Sequence, residues 1–296
     1  MAMRFGLLGT GHWAEHIHGP ALAAHPEVEL VGVWGRDPAK AEALGARWGV
    51  PGCADVADLL GAVDAVAIAL PPDIQAELAV RAATAGCHLL LEKPLALSTD
   101  AADRVVAAVD AAGVTSVIFF TRRYDPAVRA FLEQSADRDW HGAQVTMFGS
   151  IFQPGSPYGG SQWRRDHGGL WDVGPHALSI LLPVLGPVVE VVAFAGLRST
   201  SHVLLRHDTG AVSSLALTLD APAAALAYEF TLYGEHGRVP VPDAAVDSAG
   251  AAHVAVTDLL TTAEAGHEPH PCDVRFGRDV VAVLARAEDA LATSGR

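Results

Sequence analysis

Met3-Arg4-Phe5-Gly6-Leu7-Leu8-Gly9-Thr10-Gly11-His12-Trp13-Ala14 is the stretch that decides the fold. An apolar run of strand length, Met3 to Leu8, leads into Gly9-Thr10-Gly11-His12-Trp13-Ala14, a G-x-G-x-x-A turn that opens a helix. The first glycine permits the tight turn. The second lets a pyrophosphate approach the backbone, and the small third residue lets helix and strand pack closely. The helix start beyond it offers free N–H groups and a positive dipole end to phosphate. Such glycines also occur in purely structural turns. Here the turn follows a strand and precedes a second one, Val28 to Trp34, a context that favours nucleotide binding. A break in the helix is expected at Gly19-Pro20.

The second strand ends in Trp34-Gly35-Arg36-Asp37. An acidic residue about 20 positions past the glycines hydrogen-bonds a ribose 2′-OH in NAD-binding folds. Here the tip is Gly35, which leaves room, and Arg36, which can pair with a 2′-phosphate and stack on adenine. The reading leans to NADP. The alternative, Asp37 reaching the ribose of NAD with Arg36 in solvent, stays open.

Strands and helices then alternate. Lys40 to Trp48 reads as a helix, Asp64 to Leu70 as a buried strand stopped by Pro71-Pro72, and Ile74 to Ala85 as a helix capped by Gly86. His88-Leu89-Leu90-Leu91 is a buried strand that ends in Glu92-Lys93-Pro94. Ligands bind at the carboxyl ends of strands in open α/β sheets. A lysine fixed there by a proline can move a proton or orient a substrate oxygen. A helix from Asp103 to Ala112 and a strand from Thr115 to Phe120 complete a doubly wound parallel sheet.

The 296 residues suffice for two domains. Half of them are apolar and 18% charged, the composition of a well-cored chain. The net charge of −14 includes no basic patch, so no nucleic-acid partner is expected. The longest apolar stretch, Leu178 to Leu197, is broken by Pro183, Gly186, Pro187 and Glu190, so no membrane span is expected. The apolar run at the start is too short for a signal peptide. Cys53, Cys87 and Cys272 are sparse and odd in number, which argues against a disulfide framework or zinc site. They fit a reducing, cytoplasmic location. His253, His267 and His270 lack ligand spacing and read as surface or loop residues, so no metal is expected.

After Thr121 the alternation stops. Ala127 to Ser135 reads as a helix and Ala143 to Phe152 as a strand. The loop Gln153-Pro154-Gly155-Ser156-Pro157-Tyr158-Gly159-Gly160-Ser161-Gln162 carries groups that suit a polar ligand, or is simply a surface loop. Asp172 and His176 are four apart, one turn on a shared helix face. Pro175 between them places the pair at a helix N-terminus. There the dipole disfavours imidazolium and leaves His176 able to accept a proton. On spacing alone the pair reads as well as a helix cap and a surface histidine. From Val188 onward four β-rich runs, Val188 to Ala195, His202 to Arg206, Ala211 to Leu219 and Ala227 to Tyr233, read as an antiparallel meander. Pro242 to Ala252 reads as an exposed loop and Phe276 to Ala292 as a closing amphipathic helix.

Taken together, Gly9-Thr10-Gly11-His12-Trp13-Ala14, Pro71-Pro72, Ala85-Gly86, Glu92-Lys93-Pro94-Leu95-Ala96, Arg123-Tyr124-Asp125-Pro126, Trp163-Arg164 and Asp172-Val173-Gly174-Pro175-His176 resemble the Gfo/Idh/MocA family of glucose–fructose oxidoreductase and inositol dehydrogenase. The resemblance implies an α/β chain: an N-terminal Rossmann domain, residues 1–120, and a C-terminal α+β domain with a large, mostly antiparallel sheet, residues 121–296. It implies that the open face of that sheet mediates a homo-oligomer, a dimer or tetramer. It implies a cis Lys93–Pro94 bond and Lys93, Asp172 and His176 as catalytic residues. The expected cofactor contacts are Gly9, Thr10, Gly11, His12, Trp13, Ala14, Gly35, Arg36, Leu70, Pro71, Glu92 and Lys93. The expected substrate contacts are Thr121, Arg123, Trp163, Arg164, Asp172 and His176. Two positions depart from the family's pattern. Ser179 stands where an aspartate often follows the histidine, and Gln75 where a histidine is common. The function so implied is NAD(P)-dependent hydride transfer to or from a secondary alcohol or ketone of a sugar, polyol or related cyclic compound. A non-catalytic NADP-binding sensor is the alternative from another class. Reduction of an imine or enone is a third, for which Arg123, Arg164 and Arg165 would suit an acidic substrate or serve as structural ion-pair partners.

Overall fold

The computed structural model describes residues 2–136, 138–153, 155–266 and 268–294; Pro154 and His267 lie outside the described residues. The chain forms two compact units, Met1–Tyr124 with Val246–Asp279, and Asp125–Ala245 with Val280–Arg296. Residues 246–279 therefore belong with the first unit although they follow most of the second.

In the first unit six strands, β1 (Met3–Leu8), β2 (Val28–Trp34), β3 (Gly52–Cys53), β4 (Ala65–Ile68), β5 (His88–Glu92) and β6 (Ser116–Phe119), form one sheet in the order β3-β2-β1-β4-β5-β6. All its pairs are parallel. This is the doubly wound order, with its topological switch between β1 and β4. The central strands are continuous apolar runs because helices cover both faces of such a sheet; every residue of β4 and β6 is buried. Asp37 caps α2 (Pro38–Gly45), accepting from the N–H of Ala39 and Lys40. Helix α3 (Val56–Leu60) follows β3 and α5 (Thr99–Ala112) joins β5 to β6. Proline at the first position, as in α2 and α4 (Pro72–Thr84), removes a donor that has no intrahelical partner there.

Two local expectations are corrected here. The helix after the glycine turn is not interrupted at Gly19-Pro20. A π-turn, Ala14–His18, runs straight into α1 (Gly19–Ala24), and Gly19 N–H bonds to Ala14 O. The wider turn carries the chain to Pro20 in the first turn of α1, where a missing N–H is harmless. The stretch Pro242 to Ala252 is not wholly a loop. A helix, α9 (Ser248–Ala265), starts within it, capped by Asp247, and buries Ala251, Ala252, Ala255, Val256 and Leu259. It packs on α1, β5 and β6. Its inner face is mostly alanine and valine, so its periodicity is faint in sequence.

In the second unit β7 (Trp140–Phe148), β8 (Val188–Ala195), β9 (Ser201–His207), β10 (Val212–Thr218), β11 (Ala227–Gly234) and β12 (Gly237–Pro240) make a sheet in the order β12-β11-β7-β10-β9-β8. It is not a simple meander. β7 is inserted between β10 and β11 and pairs parallel to β10, while the other pairs are antiparallel. A strand separated in sequence from its neighbours leaves no turn signal to reveal its place. β7 also ends at Phe148, four residues earlier than expected. β9 alternates strictly between buried and exposed residues, as a sheet with one covered face requires. Asp125 caps α6 (Pro126–Ser135) and accepts from Ala245 N–H at 2.6 Å.

Candidate functional site

At the switch point of the first sheet Gly9 has φ +128°, and a Cβ there would stand 2.5 Å from Ala69 O. Only glycine lets the end of β1 lie this close to the chain leaving β4 toward Leu70 and Pro71. Gly11 has nothing within 4 Å of where its Cβ would be. The backbone there is open to a bulky ligand, which is the cradle a pyrophosphate needs. The residues present thus fit a dinucleotide. Ala14 is fully buried under the turn, so a small residue is required at the third position of the motif.

Gly35 is buried, and its missing Cβ leaves room for the Thr10 methyl, 2.7 Å from where that Cβ would stand. The tip of β2 therefore rests on the glycine turn. Arg36 beyond it is exposed. Asp37 lies at the start of α2 with Oδ1 accepting from Ala39 N–H at 3.0 Å and Lys40 N–H at 3.3 Å.

The turn after β5 is the most constrained element of this unit. Lys93–Pro94 is cis. Gln75, fully buried on α4, accepts from Glu92 N–H at 2.8 Å and donates to Glu92 O at 2.6 Å and Pro94 O at 3.1 Å. The residue that departs from the family's pattern is thus an amide clamp on the backbone around Lys93. Glu92, read from the sequence as a cofactor contact, has its carboxylate against His18, 2.7 Å from Nε2 and buried. Lys93 is only 8% exposed. It is one of two lysines in the chain; the other, Lys40, is exposed. His18 and Gln75 were not named as site residues from the sequence. The scarcity of lysine was a usable signal, whereas nothing local links His18 to a glutamate 74 positions away.

Thr121 opens a short 3-10 turn, Thr121–Tyr124. The Arg123 guanidinium lies over the Phe276 ring at 5.6 Å. Tyr124 is fully buried and donates to Ile118 O at 2.7 Å. Burial holds its phenol well above the ordinary value, so it stays protonated.

In the second unit Asp172 and His176 do not share one helix, as their spacing suggested. α7 (Gln162–Asp172) ends at Asp172 and α8 (Gly174–Leu185) begins two residues later. Proline at position 175 is compatible only with a new helix start, so His176 lies in the first turn of α8. Ser179 donates to His176 O at 2.8 Å, a bond within its own helix.

Asp172 accepts from Arg164 Nε–H at 3.1 Å, and the two side chains are 11% and 14% exposed. The Arg164 guanidinium lies 4.5 Å from the Trp163 ring centre and 4.6 Å from that of Tyr158, and donates to Ser161 Oγ at 3.2 Å. The polar loop before α7 is therefore tied to Asp172 through one arginine. Arg165 lies over Phe152 and donates to Gly159 O at 2.5 Å. These cations already have partners, which weakens the acidic-substrate reading. Among the described residues no cluster of three His, Cys, Asp or Glu could hold a metal ion, and no helix is long and apolar enough to cross a membrane.

Comparison with known proteins identifies the family. Residues 3–120 match the family described as "Oxidoreductase family, NAD-binding Rossmann fold", and residues 137–239 match the "GFO/IDH/MocA C-terminal domain". The chain is 31% identical over 251 residues to a dTDP-3,4-didehydro-2,6-dideoxy-alpha-D-glucose 3-reductase of Streptomyces antibioticus, covering 80% of this chain and 74% of that one. It is 32% identical to a D-xylose 1-dehydrogenase (NADP(+)) of Haloferax volcanii, over 74% of this chain and 70% of the other. The solved structure of UDP-N-acetylglucosamine 3-dehydrogenase GnnA from Acidithiobacillus ferrooxidans has the same fold, with TM-score 0.86 at 23% identity and both chains fully covered. Family models match residues in both units of the chain, and relatives of 31% and 32% identity cover 80% and 74% of it: the chain belongs to the Gfo/Idh/MocA family of NAD(P)-dependent oxidoreductases.

Proposed function

We propose that this enzyme interconverts a secondary alcohol and the matching ketone on a sugar, a nucleotide-linked sugar or a polyol. The observation that carries the reading is the clamped Lys93 turn in a family whose relatives are sugar reductases and dehydrogenases. The nicotinamide, when bound, gives or takes the hydride. The unit of residues Met1–Tyr124 and Val246–Asp279 holds the dinucleotide, with Gly9 to Ala14, Leu70 and Pro71 around the pyrophosphate. In the unit of Asp125–Ala245 and Val280–Arg296, His176 takes the hydroxyl proton as general base and Asp172 positions it. Lys93, in the first unit, is assigned to hydrogen-bond the reacting oxygen. Thr121, Arg123, Trp163 and Arg164 are assigned to the substrate side, with Arg164 acting through Asp172.

NADP is favoured over NAD. Arg36 is exposed at the tip of β2, whereas the Asp37 carboxylate caps α2. Two further assignments go with the reading: a cytoplasmic location and a homo-oligomer formed through the open face of the second sheet. On that face Val192 (40% exposed) lies opposite Leu204 (48%), next to Phe194 (58%), and the strands surround a shallow concavity of about 490 Å³. A contiguous exposed apolar patch of this kind marks an interaction surface, and a second copy of the chain is the occupant the family suggests.

The test is a pair of fluorescence titrations with NADPH and NADH, read on Trp13 and Trp34, followed by a screen of sugars, nucleotide sugars and polyols with the tighter cofactor. Arg36→Ala is expected to weaken NADPH about tenfold, roughly 1.4 kcal/mol, and to leave NADH within twofold. Lys93→Met is expected to abolish turnover. Turnover within tenfold of the parent would remove Lys93 from the mechanism, and binding of neither cofactor would remove the oxidoreductase reading.

A further inference from the structure

His18 is fully buried, edge-on to Phe119 at 5.3 Å between ring centres. Its Nε2 is 2.7 Å from Glu92 Oε1, and its Nδ1 is buried with no hydrogen-bond partner. The distance is that of a strong hydrogen bond, and the second ring nitrogen is left unfilled. Stability does not explain this arrangement. A buried polar pair can often be replaced by apolar residues at no loss, and an unfilled buried ring nitrogen is itself unfavourable. A π-turn is likewise a departure from regular helix that recurs at functional sites. Here it ends at His18, with Ala14 and His18 both buried and His16 between them exposed.

Glu92 directly precedes Lys93. Its backbone N–H and C=O are held by Gln75, and its side chain is held by His18. Two anchors from different helices thus converge on the residue before the lysine, one on its backbone and one on its carboxylate. The same His18 sits on the helix that begins at the glycine turn. We propose that His18 is a positioning residue for Lys93, acting through Glu92, and that the π-turn serves to deliver its imidazole there. By holding Glu92 in place the pair fixes where the next side chain starts, and so sets the aim of the Lys93 amine and its accessibility to a reactant. This inference rests on Lys93 holding the reacting oxygen.

The chain's two lysines make the test direct. The full-length protein is labelled with trace acetic anhydride, and the rates at Lys93 and Lys40 are compared by mass spectrometry, Lys40 serving as the internal standard. His18→Phe is expected to change the Lys93/Lys40 ratio at least threefold. His18→Gln, whose amide can hydrogen-bond Glu92 in place of Nε2, is expected to stay within twofold of the parent. With a substrate from the screen, His18→Phe should lower kcat at least tenfold with KM within threefold and NADPH affinity unchanged, and His18→Gln should recover most of kcat. Should His18→Phe fail to fold, the double change His18→Phe with Glu92→Met replaces the pair by apolar packing and carries the same expectation. An unchanged labelling ratio in a folded variant lacking the pair overturns the proposal, as does a His18→Gln that behaves like His18→Phe. If Lys93→Met retains turnover, the role of Lys93 fails separately, and the labelling ratio still decides whether His18 governs that lysine.

Discussion

Replacing Gln75 by methionine removes the clamp on the Lys93 turn while keeping the side-chain volume. Three good hydrogen bonds go: Glu92 N–H to Oε1 at 2.8 Å, and Nε2 to Glu92 O at 2.6 Å and Pro94 O at 3.1 Å. A further approach to Leu95 O at 3.4 Å counts for little, because the amide has two hydrogens and both are already committed. Gln75 is fully buried, so water cannot replace what is lost. An orphaned buried N–H costs about 1–3 kcal/mol, and each lost carbonyl bond about 0.5–1.5. The sum is centred near 3–4 kcal/mol, a large part of a typical net stability of about 5–15. For a cooperative unit of this size that corresponds to a fall in Tm of roughly 6–16 °C. The assay is urea and thermal unfolding followed by tryptophan fluorescence, since Trp13, Trp34 and Trp48 all belong to the same unit. Gln75→Glu should be worse at neutral pH, because a carboxylate would face carbonyl oxygens, and should recover in part as it protonates. A Gln75→Met variant within about 0.5 kcal/mol of the parent, with an unchanged m-value, would refute the clamp.

Arg164→Met should lower kcat/KM at least tenfold and also destabilise the protein, because breaking a mostly buried ion pair costs about 3–5 kcal/mol; Arg164→Lys should restore only part of this, since it keeps the charge but not the flat face against Tyr158 and Trp163. Burial pushes the imidazoles of His207, His25 and His88 below the ordinary value. The unfolded chain therefore takes up protons that the folded state refuses, so their contribution to stability is intact above about pH 6.5 and lost as pH falls below it. Urea midpoints at pH 7.5 and 5.5 should show this loss, and His207→Asn should reduce it. Phe194→Glu combined with Leu204→Glu tests the proposed subunit contact: the mass by light scattering should fall from that of the proposed oligomer to that of a monomer with the melting temperature of the fold retained, and an unchanged mass would refute this contact.

The amino-acid sequence by itself determined the first sheet. A glycine turn after an apolar strand, continuous buried runs, a strand stop at Pro71-Pro72 and a helix stop at Gly86 are local signals, and local sterics and solvation write them into the chain. The resemblance picked out Lys93, Asp172 and His176 as catalytic candidates because each sits in a short motif. Tertiary structure alone decided what surrounds them. His18 reaches Glu92 across 74 positions, Arg164 holds Asp172 across α7, which is kinked at Gly168 (φ 62°, ψ −157°), and α9 returns to the first unit on an alanine-rich face with little periodicity. The parallel pairing of β7 with β10 was equally hidden. Periodicity reports which face of an element is buried, but not which distant element it is buried against. That choice is made by packing and hydrogen-bond satisfaction over the whole fold, and it is there that the surroundings of the candidate site are set.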